Sequence, residues 1–434
     1  MSQLFDKNRR TKKNLKTPKE IIWEVEEKNR LNINFFQEII YKFTWIFLFL
    51  IRFLLYPFFD FKIGLLYSDK IGRFLGNTEF YLRKKSLGNN KKIPLHILIS
   101  GRTVNNQILK MISRRAFLIK NISIYNYLSN IKKITNDSNL WIDLNITGWL
   151  RGKDWTAAKP QLSFSLKEEK RGKKLLQSLG LDENASFVCI FAKDNLYSDN
   201  PDKPPIPNSF WSKKDFRNCD IDNYLVAAEY LTKKNIFVIR MGLHEPEKVL
   251  KTTNSMIIDY TGKIRKKLSK DDAEFADAYL PAKCKFFIGC TSGTYQFASI
   301  FNRPVAYTNM IPYGECGRNF HDLFIFKKCL NKKNNQLLSI SDAIKNGITG
   351  DWLTEDKILG LESNNIFFEQ NSQSEILELT KEMYKRLNNL WQPKDDELSL
   401  QEKFLKITKI YDSDGEKFPG KVSYYFLKNN PELL

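Results

Sequence analysis

The stretch Phe286-Phe-Ile-Gly-Cys-Thr-Ser-Gly-Thr-Tyr-Gln-Phe-Ala-Ser-Ile-Phe-Asn-Arg-Pro-Val305 constrains this chain more than any other. It reads as a buried strand at residues 285–288, a tight polar turn at 289–293, a short helix with an apolar face at 295–301, and a second strand from Pro304. Thr291, Ser292, Gly293 and Thr294 then fall at a helix N-terminus. Unpaired backbone N–H groups, the positive end of the helix dipole and several hydroxyls converge there, which suits a phosphate or diphosphate. The plainer alternative is an ordinary Ser/Thr helix cap.

The neighbouring sequence weighs against the plainer reading. From about Ala185 the pattern runs strand 186–191, helix 222–233, strand 236–241, Ile257-Ile-Asp-Tyr-Thr-Gly262, helix 269–280, and then the stretch above. Strands and helices alternating at this spacing imply a parallel, doubly wound sheet whose ligands sit at the carboxyl ends of its strands. Lys193, Glu245 and Ser292 all fall on that edge, and a nucleotide or sugar nucleotide is the expected ligand.

The front half repeats the theme. Strand 61–67 leads into Ser68-Asp-Lys-Ile-Gly-Arg73 and a helix, and strand 95–100 leads into Gly101-Arg102-Thr103 and a basic helix. These loops are candidates for the acceptor side of a cleft between two domains. Residues 151–182 are polar and helical and mark the linker. Asn200-Pro-Asp-Lys-Pro-Pro-Ile-Pro-Asn208 is a Pro-rich loop bordering the cleft.

Several of these segments together resemble a family. Ile257-Ile-Asp-Tyr-Thr-Gly262, Phe286-Phe-Ile-Gly289, Thr291-Ser-Gly-Thr-Tyr-Gln-Phe-Ala298 and Arg303-Pro-Val305 are similar to the donor half of GT-B glycosyltransferases, distantly to the lipopolysaccharide heptosyltransferases. Ser68-Asp-Lys-Ile-Gly72, Arg217-Asn-x-Asp-Ile-x-x-Tyr224 and Val238-Ile-Arg-Met-Gly242 resemble bacterial glycosyltransferases of surface-polysaccharide gene clusters. The resemblance implies a GT-B-like α/β fold: two Rossmann-like domains with doubly wound parallel sheets facing a cleft; the apolar run ahead of residue 60 adds an N-terminal membrane-associated helix. Expected boundaries are 1–60 for a basic tail and that helix, 61–180 for the acceptor-side domain, 181–395 for the donor domain, and 396–434 for a terminal segment packing back on the front domain.

The implied activity is transfer of a sugar from a nucleotide-sugar donor to a surface-polysaccharide or lipid-linked acceptor, inverting and metal-independent, with no cofactor. Thr291, Ser292, Gly293, Thr294 and Gln296 would hold the donor diphosphate, with Lys193 and Arg240 offsetting its charge and Glu245 accepting from a ribose. Asp69 and Asp194 are the candidate bases. Lys70, Arg73 and Arg217 are placed on the acceptor side. Heptosyltransferases have Asp where Thr291 stands, and the loop position where they carry their base is Arg73 here. A sugar nucleotide epimerase of the same fold and a non-catalytic carbohydrate-binding protein are the alternatives.

The net charge of +20 is uneven: the first 160 residues hold +17 of it, and residues 81–136 contain twelve Lys or Arg and no acid. A basic front half faces an anionic partner. No zinc-finger spacing, RNP-like aromatic pair or helix-turn-helix pattern points to nucleic acid. An anionic membrane surface fits better, because residues 34–60 are the most hydrophobic in the chain. Their uninterrupted apolar run covers only Thr44 to Ile51 before Arg52, and Pro57 ends it, short of the ~20 residues of a spanning helix. The reading is an interfacial helix on the cytoplasmic face of the inner membrane, with one tilted span as the alternative. Six cysteines without a C-x-x-C and three scattered histidines suggest neither disulfides nor a metal site. The oligomeric state is left open.

Overall fold

The computed structural model describes residues 34–88, 92–135, 139–144, 152–196, 215–313, 319–349, 353–409 and 419–434. Most of the basic tail, the Pro-rich loop and Cys316 lie outside them.

The chain is α/β, with two parallel sheets. The front sheet has three strands in order β1-β2-β3: β1 (Phe59–Leu66), β2 (Ile93–Ser100) and β3 (Phe117–Lys120), extended by a bridge from Ile63 to Trp141. The helices between them are α2 (Ile71–Leu87) and α3 (Asn106–Ser113), and α4 (Ile122–Thr135) follows β3. Ahead of the sheet stands α1 (Phe35–Leu55), whose N-cap Asn34 makes a reciprocal capping box with Gln37. Tyr41, Trp45, Leu48, Ile51 and Leu55 recur at helical spacing and pack on Phe61, Ile63, Leu128, Ile131 and Trp141. One stripe of α1 is therefore part of the front domain. No helix among the described residues is long and apolar enough to cross a membrane.

The second sheet carries β4 (Phe187–Phe191), β5 (Phe237–Arg240), β6 (Ile257–Asp259), β7 (Phe287–Cys290), β8 (Val305–Met310), β9 (Leu323–Phe326) and a two-residue β13 (Lys421–Val422). Their order is β13-β9-β8-β7-β4-β5-β6, every neighbouring pair parallel. The chain thus starts in the middle, builds outward to β6, returns beside β4 as β7, and builds the other way. β4 and β7 are buried on both faces, which is why they read as continuous apolar runs. A small antiparallel sheet of β10 (Lys328–Asn331), β11 (Gln336–Leu337) and β12 (Ile366–Glu369) is appended.

The terminal segment departs from expectation. β13 pairs with β9, and Val422, Phe426, Leu427 and Leu433 join the core of the second sheet. A carboxylate explains the docking: buried Glu382 accepts from the Ser423 hydroxyl and the Tyr424 N–H. The segment closes the edge of the second sheet and does not return to the front domain.

The two domains share buried contacts. After α5 (Gly152–Ala157), α6 (Leu166–Ser178) and α7 (Leu225–Thr232) come α8 (Lys270–Lys283) and α9 (Gln296–Ser299), which pack against α3 and α2, so Ala278, Phe297 and Ile300 belong to one cluster with Phe74, Ile108 and Ile112. Arg83, fully buried on α2, donates to Glu79, to the carbonyls of Trp155 and Ile300, and to Asn302 Oδ1. Asn105 and Asn106 at the start of α3 bind the Glu274 carbonyl and carboxylate on α8.

Candidate functional site

In a sheet of this order the connections leave β4 and β7 in opposite directions, and the crevice above their carboxyl ends is where ligands of doubly wound folds sit. Here that crevice lies between Ala192-Lys193-Asp194 and Thr291-Ser292-Gly293, linked by the Lys193 N–H to Cys290 Sγ at 3.2 Å.

The turn after β7 is tighter than its sequence suggests. α9 is only four residues long. Ser292 Oγ accepts from the Thr294 N–H at 3.1 Å, the Gln296 N–H goes to the Gly293 carbonyl, and Thr291 Oγ1 faces Met310 Sδ and the Ile311 N–H. Thr291, Thr294 and Gln296 are buried, whereas Ser292 and Gly293 are half-buried. Gly293 faces the front domain: a Cβ on it would meet Ile71 Cγ2 and stand 2.7 Å from the backbone nitrogen of Gly72. The loop after β1 and the turn after β7 are therefore in van der Waals contact, and the carboxyl edges of the two sheets meet there.

Lys193 and Arg240 are both buried and both face carboxylates. Lys193 Nζ stands 3.1 Å from Asp215 and 2.8 Å from Asn218 Oδ1, and Arg240 lies 3.6 Å from Asp259. Burial raises the Asp215 pKa, but the Arg217 and Lys193 cations outweigh it and hold the carboxyl at about 2. Arg217, expected on the acceptor side, turns its guanidinium onto Asp215, two residues away and ahead of β5 in the second domain. Lys193, Asp215 and Arg240 border a cleft of about 610 Å³ reaching to β10 and β12.

Beside the crevice, His244 Nε2 is 3.0 Å from Asp194 Oδ1. The Leu196 and Glu247 N–H groups donate to the same carboxylate. Burial alone would raise the Asp194 pKa; the His244 contact and the two amides bring it below the usual carboxylate range. The His244 backbone is fixed by Thr261 Oγ1 donating to its carbonyl, and Leu243 packs on the front-domain core. Glu245 is exposed at the rim and paired with Lys266 at 2.7 Å.

Across the junction, Asp69 and Lys70 are exposed and Arg73 is half-buried, its guanidinium carbon 5.5 Å from the centre of the Tyr67 ring. Burial first, and then the Asp69 charge, raise the Tyr125 pKa, and the Tyr125 ring closes over Gly101. Among the described residues Asp69 takes no hydrogen bond and no ion pair, unlike Asp194. Arg102, Lys120 and Lys270 border a separate hollow of about 340 Å³ at the same edge.

No protein-family model matches the chain, and no curated protein does. Solved structures do. The E. coli ADP-heptose lipopolysaccharide heptosyltransferase II is 10% identical over 57% of this chain and 84% of that one, with a TM-score of 0.35. A family 9 glycosyl transferase from Veillonella parvula is 10% identical over 57% and 79%, at 0.32. The dodecameric iron-containing heptosyltransferase TibC, solved with ADP-D-beta-D-heptose, is 11% identical over 76% and 78%, at 0.36. The chain is distantly similar to heptosyltransferases. At such identities and scores the superpositions assign no role to any residue here.

Three contacts around the crevice escaped the sequence reading. His244 was visible beside Glu245, but its pairing with Asp194 joins residues fifty positions apart. Asp215 lies next to Arg217 in sequence, a local pair that a charge pattern could have shown. Lys327, buried at the end of β9, donates to the Asn218 carbonyl at 2.6 Å and holds the Asp215 segment over Lys193. A lysine directly after four apolar strand residues was its signal.

Proposed function

We propose that this protein is a GT-B-like glycosyltransferase that moves a sugar from a nucleotide-sugar donor to a hydroxyl of a surface-polysaccharide or lipid-linked acceptor, with inversion and without a metal. The observation that carries the reading is the meeting of two parallel-sheet carboxyl edges at Gly72 and Gly293, which sets the switch-point crevice of one sheet against the first loop of the other. The donor diphosphate lies along Ser292 and Gly293, with the Lys193 and Arg240 region behind it.

In the reaction the acceptor oxygen attacks the anomeric carbon, the bond from that carbon to the phosphate oxygen breaks, and the nucleoside diphosphate leaves with the electron pair. The acceptor proton passes to Asp69, whose carboxylate is exposed and unengaged among the described residues. Asp194 already accepts from three donors, so its role is to orient His244 at the donor edge. The buried cations supply positive potential to the leaving diphosphate from behind the turn.

Incubation with a panel of nucleotide sugars, with and without bacterial membrane extract, tests the reading by product analysis. Transfer predicts nucleoside diphosphate release that requires the extract. An isomerised sugar nucleotide formed without extract identifies an epimerase, and no turnover of any donor leaves a binding protein.

A further inference from the structure

We propose that the outer face of α1 beds into the headgroup layer of an anionic lipid bilayer, with the helix lying in the membrane plane. The proposal is independent of the glycosyl-transfer reading.

Phe36, Ile40, Phe43, Phe47, Leu50 and Leu54 follow one another at intervals of three or four residues and form a single stripe along α1. Each is between 51% and 75% exposed, and no residue of this 21-residue helix is buried. The opposite stripe is held on the front domain by Trp45 and Leu48, by Thr44 Oγ1 to the Tyr127 hydroxyl at 2.7 Å, and by Arg52 to the Asn139 carbonyl at 2.9 Å. A helix fastened along its length cannot turn to cross a bilayer, but it can lie on one. Ile122 and Ile124, one turn ahead of the Tyr127 that α1 touches, are exposed as well.

A contiguous row of large apolar side chains marks a surface that something covers. Charge selects the occupant. Residues 34–136 carry a net +13, of which Lys110 and Arg114 are paired with Asp271 and Glu168 outside this stretch, and the lone acid of α1, Glu38, is paired with Lys42 at 2.7 Å. Lys92 sits over the Tyr56 ring and Arg52 packs at 5.2 Å from it, so cations border the apolar face at its carboxyl end. A second copy would bring two such fields together. An anionic bilayer instead takes the aromatic side chains at its interface and neutralises the surrounding cations.

The test is sedimentation of the full chain with vesicles of phosphatidylcholine alone or mixed with phosphatidylglycerol. The expected result is binding to the mixed vesicles that weakens with salt, and a loss of about tenfold or more in the doubly substituted Phe43→Ser, Phe47→Ser protein with its melting curve unchanged. A single Phe47→Trp reporter keeps the test open should the double variant misfold: its emission should shift to the blue on vesicles and be quenched by lipids brominated near the headgroup. Three outcomes overturn the proposal: no sedimentation with either vesicle, a dimer in light scattering that Phe43→Ser breaks, or quenching only by lipids brominated at the chain ends.

Discussion

Gly293 and Gly72 lie against each other across the two domains, close enough that a Cβ at 293 would come within 2.7 Å of the Gly72 backbone nitrogen. Side-chain flexibility cannot relieve a clash with backbone. Gly293→Val should therefore push the first front-domain loop away and cost about 1–3 kcal/mol, the usual range for overpacking. Ser292→Asp should behave differently, because an Asp carboxylate can still accept from the Thr294 N–H as Ser292 does. It should stay folded and lose nucleotide-sugar affinity through repulsion of the diphosphate. Thermal melts and calorimetric titration with a nucleotide sugar separate the two effects; an undiminished affinity in folded Ser292→Asp would count against the placement of the donor.

Arg83 is the second link between the domains. Its guanidinium serves a carboxylate, three carbonyls and a side-chain amide from both domains while fully buried. Arg83→Ala leaves Glu79 buried and uncompensated, a situation that typically costs about 3–5 kcal/mol. Urea unfolding should show a loss of that order, and a loss below about 1 kcal/mol would mean that water reaches the pair.

Much of this architecture is legible in the sequence, and the failures have physical causes. The continuous apolar runs of β4 and β7 and the caps at Ser165, Ser269, Ser339 and Ser372 mark their elements locally. β3 has four residues, half of them exposed, and β13 has two; both exist because a distant strand offers an edge, which no local pattern reports. Arg83 and Glu79, at i and i+4, resemble a solvated pair until α9 packs over them. α1 looks in sequence like a detachable anchor, but its Trp45 stripe covers Phe61 and Trp141, so removal of residues 1–60 should uncover the front core instead of leaving it intact. At the site, the turn after β7 was legible as a phosphate-sized motif. The inward orientation of Thr291 and Thr294 depends on Met310 and on the tightness of α9, and was not.

Asp215 gives the fold a pH dependence of definite sign. Its pKa drops from 3.8 to about 2 on folding, so the stabilisation is fully present above pH 3.8 and is lost as pH falls through about 2. The shift corresponds to about 2 kcal/mol. Asp215→Asn should be less stable than the wild type by roughly that amount near neutrality, and the two should converge in urea titrations as pH approaches 2. A gap that persists undiminished in acid would show that packing, not charge, sets the difference.

The most direct measurement is the rate of acceptor-dependent nucleoside diphosphate release by Asp69→Asn, taken with its donor affinity. If the first front-domain loop supplies the base to a donor held on the opposite edge, the rate should fall by about 10²–10⁴ while donor affinity stays within about twofold of the wild type. A rate close to wild type, or a loss carried wholly by weaker donor binding, would contradict transfer across the junction of the two sheets.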